Sequence, residues 1–220
     1  MNSIHDIGGM DGLTLPERDQ GRILNEEWER HVVGVALTAW STLIPGYAGS
    51  LRSDIERIPP ELYLKMPYYA KWMWAEEVAL IRSGLVTRDE LDNPDSTMRT
   101  SNGSGGMPYS PHDVVAYIKD DDSYELPAEV PPRFAVGDEV AARNDHPVGH
   151  SRMPRYVRGR RGIIHNHHGV HLFQDDVDEN VGQQHLYTVR FIASELWGSR
   201  AHPNDVVYAE LSDYHLEAAG

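Results

Sequence analysis

Residues 134–143, FAVGDEVAAR, mark the point at which the chain changes period. Before them apolar residues recur every three or four positions, as on one face of a helix. From Phe134 onward they alternate, as on a half-buried strand. Phe134-x-Val136-Gly137-Asp138-x-Val140 opens the first strand, and RGIIHNHH (161–168), HLYTVRF (185–191) and DVVYAEL (205–211) repeat the pattern. These short runs are β-branched and aromatic, and Gly, Asn, Pro and Asp separate them, which predicts a small all-β barrel of SH3-like type. Gly159 and Gly162 allow a tight approach ahead of the second run.

Upstream of this boundary the signals are helical. Asn25 can cap a helix whose first turn carries Glu26, Glu27 and Glu29, well placed against the macrodipole. Its apolar face runs through Trp28, Val32, Val35, Ala36, Ala39 and Leu43, and Pro45-Gly46 stops it. Ser53-x-x-Glu56 reads as a capping box, although residues 50–52 could already be helical. Pro67 suits the start of a helix over 68–83, with Gly84 as its C′ residue and Tyr68, Trp72, Ala75 and Ala79 as its inner stripe. Thr87-x-x-Glu90 opens a further short helix, and another lies near 114–119. The fold class is therefore α+β: an N-terminal extended arm (1–24) and helical domain (25–92), a connector (93–132), and a C-terminal SH3-like β-barrel (133–220). The arm, rich in glycine and without periodicity, is too long a loop to order by itself, so it is either disordered or laid across a partner.

Composition narrows the function. The chain has 220 residues, a formal net charge of −14 and no cysteine, so it offers no disulfide framework and no thiolate metal site. The negative charge opposes nonspecific nucleic-acid binding, where phosphate neutralisation dominates affinity. No apolar stretch reaches membrane-spanning length and the N-terminus has no signal-peptide pattern, so a cytoplasmic location is expected. Against this acidic background five arginines, Arg152, Arg155, Arg158, Arg160 and Arg161, fall within ten residues, while the whole chain has only three lysines. The guanidinium fork stays charged and grips oxyanions in a bidentate way, so the cluster points to a specific anionic target.

Other constellations are weaker. HNHHGVH holds His165, His167, His168 and His171, with His185 beyond. It offers no helix or fixed carboxylate, and reads as a solvated hairpin turn rather than a metal site. The acidic run Asp175, Asp176, Asp178 and Glu179 reads as a solvated loop. The Tyr68, Trp72 stripe reads first as core. No nucleophile motif, phosphate loop or dinucleotide fingerprint is present.

Four segments together resemble the β subunit of nitrile hydratase: MNSIHDIGGMDG at the start; the block from LRSDIERIPPELYLKMPYYAKW through LIRSGLVTRDEL; HPVGHSRMPRYVRGRRGII; and HLYTVRFIASELWG. GHxRMPxYxRGRxG and LYTVRFxxxELWG are the most specific of these patterns. Ser3 stands where the family usually has Gly, and the C-terminal AELSDYHLEAAG is a loose version of the family ending. The resemblance implies an enzyme that hydrates nitriles to amides at a low-spin Co(III) or Fe(III) ion. That ion sits in a partner α subunit, on a Cys-rich loop with oxidised thiols. Trp72 and ELWG lean towards cobalt.

By motif position the resemblance makes Arg52 (in SLRSDIER) and Arg152 (in GHSRMP) the arginines that reach the oxidised sulfurs, with Tyr68 at the active-site mouth. Trp72, Leu37 and Leu51 become walls of the substrate pocket, and Glu56 an outer member of the network. No metal ligand is implied in this chain. The assembly implied is an αβ heterodimer or α2β2 heterotetramer, without nucleic acid or membrane. Related alternatives are weaker: thiocyanate hydrolase keeps these two halves as separate polypeptides, and small metallochaperones match only the helical half. A noncatalytic SH3-like module binding RNA or protein is the rival of a different class, since GRRGII resembles the glycine-containing turn of ribosomal barrels; the net charge opposes it. A neighbouring reading frame with Cys-x-x-Cys-Ser-Cys is required by the hydratase reading alone.

Overall fold

The computed structural model describes residues 4–10, 12, 24–39, 51–93, 110–119, 125–175 and 181–220. The chain divides into two compact units: Leu13–Asp121, which is helical, and Met1–Gly12 together with Asp122–Gly220, which is built on a sheet.

In the helical unit, α1 spans Glu27–Thr38, α2 Leu51–Glu56, α3 Pro60–Lys65, α4 Tyr68–Arg82, α5 Arg88–Asp92 and α6 Pro111–Lys119. Glu26, not Asn25, stands at the N-cap of α1, because Glu29 reaches back to the Glu26 N–H at 3.0 Å. Val32, Ala36 and Ala39 are buried as expected, but Val35 is exposed, and Leu43 lies outside the described residues. α2 is already helical at Leu51, so Ser53 is an interior, buried residue rather than a cap.

α3 was not marked by periodicity. Pro60 stands at its first position, and it ends at Met66, whose ψ of 133° is the extended conformation favoured before a proline. α4 then starts behind Pro67 and stops at Gly84, which takes φ +74° as a C′ glycine should. It packs against both α1 and α2. Its buried face is Tyr69, Ala75, Glu76 and Ala79, whereas Tyr68 is exposed. Ala75 and Ala79 are buried as expected and Trp72 is half-buried, but at the start of the stripe Tyr69 takes the buried place expected for Tyr68. α5 carries the Thr87/Glu90 capping box as read, and α6 begins at Pro111, before the predicted 114.

The sheet unit contains β1 Glu125–Leu126, β2 Glu139–Ala142, β3 Arg161–Leu172, β4 Gln183–Ile192, β5 Val206–Ser212 and β6 Leu216–Ala218. All pairings are antiparallel, in the order β5-β4-β3-β2-β6, with β1 beside β3. The strands expected from alternation are present, but the sheet is not closed into the expected barrel: among the described residues β5 and β6, the two ends of the path, do not pair. A short α7, Ala193–Trp197, follows β4.

Inward residues of β4 (Tyr187, Val189, Phe191) and of β2 (Val140, Ala142) meet Met153, Val157, Leu211 and Leu216 in one core. Gly162 faces this core at close quarters. A Cβ there would lie 2.7 Å from Val189 Cγ1 and 2.9 Å from the Arg190 carbonyl oxygen. No helix among the described residues is long and apolar enough to cross a membrane.

Candidate functional site

Each unit carries a patch of the residues singled out above. In the helical unit the patch is built on α2, α3 and the first turns of α4. Asp54, with a side chain 0 % exposed, anchors it: its Oδ1 accepts from Arg57 at 3.2 Å and from Arg82 at 2.9 Å. This bond ties α2 to the end of α4 and leaves Arg52, two residues earlier, exposed. Leu51 and Glu56 are half-buried on the same helix, and Leu37 is half-buried on α1.

Tyr68 stands exposed at the start of α4, its ring 5.0 Å from Tyr69 and 5.9 Å from a half-buried Trp72. The structure adds Tyr63, which sequence reading missed. Burial, and then the charge of Glu56, raise its hydroxyl above the ordinary tyrosine range, while the Arg52 charge opposes them and Tyr68 adds to them. Lys71 Nζ lies 3.7 Å above the Tyr63 ring. Arg52, Glu56, Tyr63 and Tyr68 therefore form one electrostatic group. Tyr63 sits in the short helix between Pro60 and Pro67, whose bracketing was the available signal.

On the same unit Glu76 is 4 % exposed, and its Oε1 has no hydrogen-bond partner. Burial pushes its carboxyl up to about 7.

In the sheet unit the arginine run does not act as one patch. Arg158 is buried, its guanidinium 3.0 Å from His146 Nδ1 and 3.3 Å from the Met153 carbonyl oxygen that it donates to. The Arg155 N–H donates to Asp6 Oδ2 at 2.8 Å, and Arg161 donates to the Gly220 carbonyl oxygen at 2.9 Å. Arg152 is exposed, and its N–H donates to Asp175 Oδ1 at 2.8 Å. It borders a cavity of about 580 Å³ with His168, His171, Phe173, Ser212 and His215.

Two sequence expectations are corrected here. Asp175 is not a solvated loop residue: its side chain is 1 % exposed and its Oδ2 meets His215 Nε2 at 2.8 Å. Burial would raise its pKa, yet His215, the Arg152 N–H and the Ser151 hydroxyl together hold it below the ordinary carboxylate value. Residues 176–180 lie outside the described ones. Nor is HNHHGVH a hairpin turn, because it runs on within β3 through two register shifts, with Gly169 at φ +80°.

Three histidines of that stretch, His167, His168 and His171, are hydrogen-bonded within the sheet unit. His167 Nε2 meets His185 Nδ1 at 2.9 Å, and His185 Nε2 meets the Val130 carbonyl oxygen at 2.8 Å. Burial, and then His185, lower the pKa of His167. Among the described residues no three His, Asp or Glu gather in a way that could hold a metal ion.

Comparison with known proteins matches the whole length. Residues 1–122 fit the N-terminal, and residues 123–218 the C-terminal, family model of the nitrile hydratase beta subunit. The chain is 33% identical over 228 residues to the cobalt-containing nitrile hydratase subunit beta of Pseudonocardia thermophila, covering 99% of this chain and 96% of that protein. It is 36% identical over 232 residues to the low-molecular weight cobalt-containing nitrile hydratase subunit beta of Rhodococcus rhodochrous, covering 98% and 99%. A solved apo-enzyme structure of thiocyanate hydrolase from Thiobacillus thioparus matches 51% of this chain and 99% of that one. At 20% identity and a TM-score of 0.39 it is too distant to argue from. On the two family models, which together span residues 1–218, the chain belongs to the nitrile hydratase beta subunit family.

Proposed function

We propose that this chain is the β subunit of a nitrile hydratase that adds water to a nitrile and releases the amide. It works only in complex with an α subunit, as an αβ heterodimer or α2β2 heterotetramer. The observation that carries this reading is the end-to-end match of both family models, shared with relatives of the same length. The metal is assigned to the partner and would supply Lewis-acid chemistry there. Cobalt is favoured over iron because two relatives carry cobalt in their names. A chain without cysteine suits this division of labour, since it can offer cationic donors but no thiolate.

In this reading Arg52 and Arg152 present their guanidinium forks to the oxidised cysteine oxygens of the partner. Both are exposed in the single chain, as residues that meet a partner would be. A desolvated sulfinate needs a permanently charged bidentate donor, which lysine supplies poorly. Tyr68 and Trp72, with Leu37 and Leu51, contribute to the mouth and wall of the substrate pocket. Glu56 steadies Arg52 through the group around Tyr63. Residues 1–24 are an arm laid across the partner, anchored by Asp6 on the Arg155 N–H. Residues 25–92 form the helical domain and 133–220 the sheet domain, joined by the connector 93–132.

The test is co-expression with an α subunit and its maturation factor. Arg52→Lys and Arg152→Lys should each lower kcat by roughly 10- to 100-fold while the complex still assembles. Arg161→Lys, in an exposed residue whose guanidinium donates to the Gly220 carbonyl oxygen, serves as control. Normal turnover in both variants refutes the role given to the arginines. Turnover by the purified β chain alone refutes the division of labour.

A further inference from the structure

We propose that Asp175 and His215 are positioning residues that fix the Arg152 turn, so that the Arg152 guanidinium is presented in one direction. The inference rests on the reading of Arg152 given above.

Three distant pieces of the sheet unit meet at one carboxylate. Asp175 follows the end of β3, Arg152 lies between β2 and β3, and His215 closes the turn between β5 and β6. Asp175 Oδ1 accepts the Arg152 N–H at 2.8 Å, and Oδ2 accepts His215 Nε2–H at 2.8 Å. The Ser151 hydroxyl donates to the same carboxylate. The imidazole tautomer follows from its other side. The Ser212 N–H donates to His215 Nδ1 at 3.2 Å, so the ring proton sits on Nε2 and points at Asp175.

The residues on either side of Arg152 are also held. Ser151 and Met153 are each 1 % exposed, and the Met153 N–H donates to Ser151 Oγ at 3.2 Å. Arg152 is thus an exposed side chain on a backbone clamped at three successive residues. A buried carboxylate is costly, and apolar packing could hold a turn as firmly. What the carboxylate adds is direction, since its two oxygens select one orientation of the Arg152 peptide.

The experiment uses the assembled αβ complex, with Asp175→Asn, His215→Gln and His215→Leu made in both Arg152 and Arg152→Lys backgrounds. Asn has one acceptor oxygen where two are used, so it must release either the Arg152 N–H or the imidazole. Asp175→Asn should lower kcat about tenfold, as supporting shells do, with KM within about twofold. In the Arg152→Lys background the same change should cost less than about threefold, because the residue it positions is already compromised. Hydrogen exchange across 150–154 should quicken about tenfold while β4 stays protected. His215→Gln, which keeps an N–H near the Nε2 position, should retain kcat within about threefold, and His215→Leu should resemble Asp175→Asn.

Unchanged exchange across 150–154 in Asp175→Asn and His215→Leu overturns the inference. So does an equal loss of kcat in both backgrounds, which would mean that Asp175 acts without Arg152. Normal kcat in Arg152→Lys alone fails the underlying reading, and the exchange result then still decides whether the pair sets the turn. Should Asp175→Asn not assemble, the contrast between His215→Gln and His215→Leu decides in its place.

Discussion

Replacing Glu76 by Gln should stabilise the chain at alkaline pH and do little in acid. Glu76 is 4 % exposed on the inner face of α4 with an unpartnered Oε1, and burial pushes its pKa from the ordinary 4.5 up to about 7. Below 4.5 the carboxyl is protonated whether the chain is folded or not, and the native state bears no electrostatic penalty. As pH rises, the unfolded chain ionises first while the folded chain still holds its proton, so stability falls until the folded group ionises near 7. The slope is about 1.4 kcal/mol per pH unit, and across the interval the loss is about 3 kcal/mol. Glutamine is uncharged in both states and escapes this loss. Urea unfolding of the full chain, followed by tryptophan fluorescence at pH 4, 6 and 8, should therefore show an advantage for Glu76→Gln that grows with pH and levels off above 7. An advantage that does not change with pH, or none at pH 8, would refute the buried, unpartnered carboxyl.

Gly162→Ala should destabilise the sheet unit by about 1–3 kcal/mol, because its Cβ would press on Val189 and the Arg190 carbonyl. Calorimetry should read this as a melting point lower by about 2–4 °C per kcal/mol. Tyr187→Phe removes the hydroxyl that donates to Asp213 Oδ1 at 3.0 Å in a buried setting, and should lower the urea midpoint by the equivalent of about 1–3 kcal/mol. Asp54→Ala leaves Arg57 and Arg82 without their shared carboxylate; both are half-exposed and regain water, so about 2 kcal/mol is expected, measured by loss of helical circular dichroism.

What could be read from the sequence was local. Pro67 and Gly84 bracket α4, the Thr87/Glu90 box opens α5, and the alternation of HLYTVRF is the inward face of β4, because each depends on neighbours within a few residues. Only the first residue of the α4 stripe differs, because Tyr68 and Tyr69 are adjacent and equally apolar, and packing against α1 and α2 decides which turns inward. The bulges of β3 escaped notice because a glycine inside a histidine-rich run looks like a turn. Asp175 sits among acidic residues, and nothing local distinguishes it. Its burial depends on His215, 40 residues on, and on the loop 23 residues back. The arginine run was legible as a concentration of charge. Its division into a buried Arg158 and an exposed Arg152 was not.

The contact between Asp6 and the Arg155 backbone spans 149 residues, with the whole helical unit lying between its two ends in sequence. On a ribosome adding about 5–20 residues per second, Asp6 waits roughly 7–30 s before Arg155 is made. During that interval the helical unit is complete in sequence while Asp6, Gly8 and Gly9 have neither Arg155 nor the Tyr156 and Trp197 rings to rest on. The start of the chain is thus among the last pieces to find its place, and docking it closes the longest loop described in the molecule. A change around Asp6 bears on this late step, in the unit whose strands are made more than a hundred residues later.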